Sequence, residues 1–221
     1  MTSNTRKAQF KSNILALVFL INVLNAFLLP QQAYALDEQH TYISFPAFIA
    51  SVKNGDAETL RGIYVAGVMA FPIVQQPTNN PGYVSSMADT VTQFGMASEA
   101  GNLGLLAHNN LSGLHFFQLM PGDTITLVYG DGHTVNFIVD QILQYQTLEP
   151  QSIYSDFKDL ETGAILDVQQ LFAHVYQGDF HLTLQTCIEN EGDPSWGRLF
   201  IMAKPVGESQ LNKFHYILRE T

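Results

Sequence analysis

The chain contains a single cysteine, Cys187, whose neighbours suit it to nucleophilic chemistry. Polar and apolar residues alternate over residues 183–187, with Leu182 and Leu184 on one face of a predicted strand. Cys187 therefore points to the face opposite the leucines, at a strand end where a thiol is accessible. A free thiol has a pKa of about 8.5, so it needs a nearby base or cation in order to react. The alternative is a small buried thiol that packs as a hydrophobic residue.

Arg198 is the cation that we expect beside this thiol. It begins the next predicted strand, after a loop predicted over residues 188–197. If the two strands pair as antiparallel neighbours, facing residues at their ends lie about 4.5–5.5 Å apart. A guanidinium at that distance favours the thiolate over the thiol and can donate to an oxyanion or hold a peptide carbonyl. The alternative for Arg198 is an exposed surface residue.

Seven histidines could supply the proton that a departing amine needs, and two of them compete for the role. His108 follows a short apolar run, residues 103–107, which is typical of a buried strand, and it opens a polar loop. This position aims its side chain at a groove. His115 lies among Leu114, Phe116 and Phe117, where a packing role is more common. We therefore expect His108 to be the acid/base partner of Cys187.

The elements that must position these residues are mostly short strands. Apolar alternation over residues 124–139, broken by a tight Gly-Asp-Gly turn, predicts a hairpin. Residues 167–177 have helical spacing. A buried strand over residues 62–70, a short helix over residues 46–53 and a closing strand over residues 216–219 are also predicted. Many short strands with few helices indicate a barrel or a sandwich.

The first 35 residues have the features of an export signal. Three basic residues precede an apolar stretch over residues 14–29, which is shorter than the roughly 20 residues of a membrane span. Ala33-Tyr34-Ala35 then has the small-x-small pattern of a signal peptidase site. We favour cleavage after Ala35, and the alternative is an uncleaved membrane anchor. In both cases the folded domain is extracytoplasmic, either secreted or held at the cell surface.

Length and charge limit the possible functions. A chain of 221 residues with 46% hydrophobic residues suits one folded domain, so we expect a leader over residues 1–35, a lead-in over 36–61 and a catalytic barrel over 62–221. Three of the ten Lys and Arg residues fall in the leader, and none of the 20 Asp and Glu residues does. The remaining domain is therefore strongly acidic, which argues against nucleic acid and anionic lipid surfaces as partners.

No metal or cofactor site is predicted. Glu189, Glu191 and Asp193 bring three carboxylates into the predicted loop before Arg198, and clustered carboxylates are the ligands that calcium takes. A solvated acidic loop is the simpler interpretation, because no ligand loop of known type is present. No histidine pair has the spacing of a zinc motif.

Taken in order, these residues resemble the sortase family. Residues 105–109, LLAHN, are similar to the strand that ends in the sortase histidine, and residues 116–126 resemble the F..L..GD.I stretch that follows it. Residues 183–187, TLQTC, are similar to the family's T-L-x-T-C, and Arg198 follows at a suitable distance. The resemblance spans residues 62–205, and the combination is more specific than any one piece.

The resemblance implies a mainly β fold, an eight-stranded β-barrel with a few short helices, and a cofactor-free cysteine transpeptidase or thiol protease. In sortases the cysteine attacks a sorting motif, often LPXTG-like, after its threonine, and the acyl group passes to an amine. The family pattern makes Cys187 the nucleophile and His108 the residue that protonates the departing amine. It makes Arg198 a stabiliser of substrate or oxyanion and Thr186 a substrate-binding residue. The implied partners are a protein with a sorting-type motif and an amine acceptor.

The sequence departs from the family pattern in two places. Ala107 precedes the histidine where many sortases have glycine, and residues 137–181 contain a long insert-like stretch in a region that shapes specificity in sortases. Two alternatives to a transpeptidase remain. A thiol hydrolase would use the same site with water as the acceptor, and an exported β-barrel binding module would keep the shape without the chemistry.

Overall fold

The computed structural model describes residues 43–152 and 154–207. The predicted leader, its cleavage site after Ala35 and the predicted closing strand over residues 216–219 lie outside these ranges. Of the helices within them, none is long and apolar enough to cross a membrane.

Ten strands, three α-helices and one 3₁₀ helix make up the described chain. The strands are β1 (Leu60–Val65), β2 (Met69–Gln75), β3 (Val91–Gln93), β4 (Leu103–Leu106), β5 (Thr124–Tyr129), β6 (Thr134–Thr147), β7 (Phe157–Asp159), β8 (Ile165–Leu166), β9 (Leu182–Asn190) and β10 (Asp193–Pro205). The helices are α1 (Phe45–Val52), α2 (Gly95–Glu99) and α3 (Val168–Tyr176), with the 3₁₀ helix at Ser112–Gln118.

Eight of the strands close into a barrel. Their order is β10-β9-β4-β3-β2-β1-β5-β6, and β6 pairs again with β10 to complete the circle. The short strands β7 and β8 continue from β6 outside the closed ring. The pairs β2–β3 and β4–β9 are parallel, and the other pairs are antiparallel. The mainly β, eight-stranded barrel that was expected is confirmed.

The barrel interior is filled by alternate side chains of its strands, as the sequence pattern predicted. The β5–β6 hairpin pairs Leu127 with Val135, and both belong to the main buried cluster. Leu182 and Leu184 of β9 enter the same cluster. Each fully buried aliphatic side chain stabilises the fold by about 1.5–3 kcal/mol, so this alternation is the main source of the barrel's stability.

Helix α3 covers part of the outer face of the barrel. Its N-cap Asp167 accepts from the backbone N–H groups of Gln169 and Gln170, and the Gln170 side chain accepts in return from the Asp167 N–H, which completes a capping box. Leu171, Val175 and Tyr176 pack with Tyr145 of β6 and Phe200 of β10 in a second buried cluster. The helices predicted over residues 167–177 and 46–53 are confirmed as α3 and α1.

The prediction of one strand over residues 62–70 is wrong. The chain turns after Val65 and returns as β2, so Tyr64 pairs with Ala70 in a hairpin. Pro72 lies inside β2 and does not end it. Pairing with β3 starts only at Ile73, so the missing N–H of Pro72 leaves no gap in that ladder. Residues 91–93 form the short strand β3.

Candidate active site

Cys187 and Arg198 face each other across the β9–β10 ladder. The pairing that the sequence predicted is therefore confirmed. Cys187 is a free, half-buried cysteine on the face of β9 opposite Leu184, so its thiol lies on the outer side of the barrel. Along this face Gln185 accepts a 2.6 Å hydrogen bond from the Tyr176 hydroxyl of α3. Helix α3 therefore contacts β9 at Gln185, the side chain that precedes Cys187 on the same face of the strand.

The turn between β9 and β10 is much shorter than predicted. The ten-residue loop expected over residues 188–197 is wrong, because β9 runs on to Asn190 and β10 starts at Asp193. Glu191 and Gly192 form the turn, with φ values of 51° and 83°. Positive φ at both central residues is typical of the type I′ turns that match the twist of paired strands.

A β-bulge in β10 accounts for the remaining residues of the predicted loop. Asn190 pairs with Asp193 and Ile188 with Gly197, so three residues of β10 stand opposite Glu189 alone. A bulge accepts Pro194 without loss of a ladder hydrogen bond. We refer to residues 194–196 as the β10 bulge.

His108 lies on the other side of Cys187. Strand β4 runs parallel to β9, from Leu103 opposite Leu182 to Leu106 opposite Gln185, and the Ala107 N–H donates to the Gln185 carbonyl at 3.2 Å. Continued by two residues, this register would bring His108 level with Cys187. Neighbouring strands are about 4.8 Å apart. His108 and Arg198 therefore flank the cysteine strand from opposite sides, and the His108 side chain is exposed.

Thr186 does not face the outer groove. Its side chain is 2% exposed, and its hydroxyl donates to the Ala107 carbonyl at 2.9 Å. The contact joins β9 to the residue that precedes His108. The structure therefore gives Thr186 a contact that holds the start of the His108 loop, and not the position at the groove surface that a substrate-binding residue needs.

Arg198 is held through a single nitrogen. Its Nη1 donates to the carbonyls of Ser195 (3.0 Å) and Gly197 (2.9 Å) and approaches the Thr147 hydroxyl at 3.5 Å. In the part of the chain that the structure describes, no carboxylate forms an ion pair with Arg198, and its Nε and Nη2 have no hydrogen-bond acceptor. The guanidinium therefore keeps its charge and most of its donors for a ligand.

His115 occupies a packed position. Its ring meets Phe71 edge to face, with centroids 5.0 Å apart, and its buried Nδ1 has no hydrogen-bond partner among the described residues. Phe71 belongs to the barrel core. This agrees with the packing role that its apolar neighbours indicated.

The described residues contain no group of three or more His, Cys, Asp or Glu side chains that could hold a metal ion. Glu189, Glu191 and Asp193 are spread along the hairpin, and the Asp193 carboxylate accepts from the Ser195 N–H at 2.9 Å. A cavity of about 590 Å³ is lined by residues such as Asp140, His181 and Lys204. Since Leu182 pairs with Ala203, this cavity is at the opposite end of β9 and β10 from Cys187.

Two residues at the site were missed by the sequence analysis, Thr147 and Tyr176. Thr147 ends β6 and reaches Arg198 from a position 51 residues earlier in the chain. Burial raises the pKa of Tyr176 far above its ordinary value, so the hydroxyl stays protonated and donates to Gln185. Tyr176 lies in the segment that was predicted to be helical, but nothing in the sequence places it under Gln185.

Solved structures of sortases are similar to this chain. Sortase C-1 from Actinomyces oris is 16% identical with a TM-score of 0.46, and the match covers 75% of this chain and 82% of that one. A Clostridium perfringens sortase D5 transpeptidase is 15% identical with a TM-score of 0.44, covering 75% and 91%. Streptococcus agalactiae sortase C1 in complex with MTSET is 18% identical with a TM-score of 0.43, covering 72% and 73%.

The likeness is one of fold alone. No protein-family model and no curated protein matches the chain. The chemistry of the site therefore has to be argued from the residues of this chain and from their geometry.

Proposed function

We propose that this chain is an exported, sortase-like cysteine transpeptidase with Cys187 as its nucleophile. The observation that carries the proposal is the pairing of Cys187 with Arg198 across β9 and β10, with His108 two residues beyond the end of β4, the strand on the other side of β9. A thiol between an exposed imidazole and a guanidinium without an ion-pair partner among the described residues has the groups that acyl transfer needs at one peptide bond.

In the first step the proton of the Cys187 thiol passes to His108, and the sulfur attacks the carbonyl carbon of the scissile peptide bond. A C–S bond forms, and the carbonyl π electrons move onto the oxygen. Arg198 donates to this oxyanion, or to a neighbouring substrate carbonyl, through its Nε and Nη2 groups. The C–N bond then breaks, and His108 gives a proton to the departing amine. The acyl group stays on Cys187 as a thioester.

In the second step an amine acceptor attacks the thioester. His108 takes the proton from the attacking nitrogen, a C–N bond forms and the C–S bond breaks. His108 then returns this proton to the departing sulfur, which regenerates the Cys187 thiol. Thr186 contributes by holding Ala107, next to His108, through its buried hydroxyl. We place its role there and not in the substrate groove.

The substrate in this proposal is a protein that carries a sorting-type motif, and the acceptor is an amine at the cell surface. Export of the domain through the leader over residues 1–35 would bring it to that location. The acidic character of the domain gives it no electrostatic attraction for nucleic acid.

A thiol hydrolase at the same site is a second candidate. His108 is exposed and Cys187 is half-exposed, so water can reach a thioester as an amine does. A non-catalytic barrel module is a third, and it predicts a thiol that is inert toward alkylating reagents.

One experiment separates the three candidates. The full chain is incubated with a sorting-motif peptide library, with and without a glycine amine, and the products are read by mass spectrometry. We expect a new peptide bond to the glycine that is absent with Cys187→Ala. Free acid in equal amounts with and without glycine would indicate the hydrolase. No product together with an unreactive Cys187 would indicate the binding module.

A further inference from the structure

We propose that Asn109 is a positioning residue that ties the loop bearing His108 to the β10 bulge. The inference rests on the proposed function, because it gives His108 the acid/base role. The Asn109 side-chain amide donates to the Pro194 carbonyl at 3.1 Å, a contact between residues 85 positions apart. Strand β9 lies between the two partners, so this hydrogen bond joins the strands on either side of Cys187.

The β10 bulge makes the acceptor available. Between Asp193 and Gly197 the regular pairing with β9 is interrupted, so carbonyls there are free of the ladder. The Asp193 carboxylate fixes this segment by accepting from the Ser195 N–H at 2.9 Å. Two successive carbonyls then face different partners, Pro194 toward Asn109 and Ser195 toward Arg198. The β10 bulge therefore contacts both the loop that bears His108 and the Arg198 side chain, which lie on opposite sides of Cys187.

The His108 loop needs such a tether because its strand has ended. The His108 carbonyl accepts from the Leu111 and Gly113 N–H groups, each at 3.0 Å, and these bonds shape the loop internally. They do not connect it to β10. Misplacing a catalytic group by about 1 Å can cost up to 10²-fold in rate. Loss of the tether should therefore lower kcat through His108 and leave substrate binding unchanged.

Asn110 provides the matched control. It is the next residue of the same loop, it is exposed, and in the described chain it has no hydrogen bond to another residue. Asn109→Ala and Asn110→Ala remove the same side chain from adjacent positions. We expect kcat to fall about tenfold for Asn109→Ala with KM unchanged, and to stay within about twofold of the wild type for Asn110→Ala. Adding Asn109→Ala to His108→Ala should cause no further loss.

A second measurement is independent of turnover. Amide hydrogen exchange of Leu111 and Gly113 should be about three- to tenfold faster in Asn109→Ala than in Asn110→Ala, since the lost bond no longer holds the loop against opening. Equal exchange in the two variants would overturn the proposal whether or not the protein turns over. Equal kcat values, or a full further loss in the His108→Ala background, would overturn it too. If the proposed function is wrong, the wild type makes no product. The hydrogen-exchange comparison of Asn109→Ala with Asn110→Ala still tests the tether in that case, because it does not depend on turnover.

Discussion

At the scale of single residues, the site depends on side chains whose charges and donors are left for a substrate. Arg198 is anchored through Nη1 on backbone carbonyls, which fixes its position without neutralising it. Cys187 is half-buried, so it is accessible without being fully solvated. Thr186 is the opposite case, since its hydroxyl is buried and already bonded. The residues to which we assign catalytic roles are those whose reactive groups or hydrogen-bond donors are not fully used by contacts within the described chain.

Cys187→Ala should abolish product formation and leave the fold intact. A half-exposed thiol loses little packing on truncation, so the free energy of unfolding should change by less than about 1.5 kcal/mol. The first quantity is measured by mass spectrometry of the peptide products and the second by denaturant unfolding. A variant that unfolds, or one that still turns over, would contradict the assignment of the nucleophile.

His108→Ala and His115→Ala should separate catalysis from packing. Loss of general acid–base help at His108 should lower kcat by about 10²–10⁴-fold without changing the melting temperature. His115 packs against Phe71, so its truncation should lower the melting temperature while the folded fraction keeps its kcat. Calorimetry and steady-state kinetics measure the two effects. Similar losses of kcat in His108→Ala and His115→Ala, with both variants equally well folded, would contradict the assignment of His108 as the acid/base residue.

At the scale of elements, the β10 strand positions the site through its irregular segment. The bulge presents Pro194 to the His108 loop and Ser195 to Arg198, while Gly197 restores the pairing with both neighbouring strands. A Cβ at Gly197 would lie 2.6 Å from the Tyr145 carbonyl of β6. The site therefore requires glycine immediately before Arg198 so that β6 and β10 can approach closely.

Gly197→Ala should reduce both stability and turnover. The added methyl has to push β10 away from the β6 backbone, at a cost of about 1–3 kcal/mol, and Arg198 moves with the strand. Gly82→Ala is the control, because a Cβ there meets nothing closer than 3.9 Å and the backbone is ordinary. Unfolding curves and kcat/KM are compared for the two variants. A Gly197→Ala protein as stable and active as Gly82→Ala would show that the close approach has no effect.

At the scale of the whole molecule, the residues that stabilise the barrel are different from those of the candidate site. The inner cluster fills the barrel, and the second cluster under α3 covers the outer face up to Gln185. The thiol lies just beyond this cover, on β9 before the strand ends at Asn190. A domain built in this way can change its site residues with little effect on its core.

The mature protein should begin at Leu36. Ala33-Tyr34-Ala35 follows a short apolar stretch, which is the pattern that signal peptidase cleaves. N-terminal sequencing of the protein from the culture medium and from the membrane fraction measures the outcome. A membrane-bound product that starts near Met1 would mean that the leader is retained as an anchor.

The local elements could be predicted because their signals are local. Period-two alternation identified the β5–β6 hairpin, and helical spacing identified α3. The β10 bulge could not be predicted, since Asp193-Pro194-Ser195 is also typical of a loop. Only the pairing of Asp193 and Gly197 with β9, on either side of the bulge, keeps it within a strand. The same holds for Pro72, whose effect depends on where the β3 ladder begins.

The sequence by itself determined which residues have the chemistry: one cysteine on the strand face opposite two leucines, an arginine on the next strand and a histidine after an apolar run. It also predicted that Cys187 and Arg198 face each other, on the condition that the two strands are antiparallel neighbours, and the structure confirms this pair. Only the tertiary structure decided that β4, which leads to His108, lies beside the cysteine strand, since the β4–β9 pair joins segments 79 residues apart. Only the tertiary structure showed that Thr147 contacts Arg198 and that Pro194 contacts Asn109, because each contact joins residues from different strands or loops. Long-range pairing depends on the closure of the whole barrel, and no short window of residues contains that information.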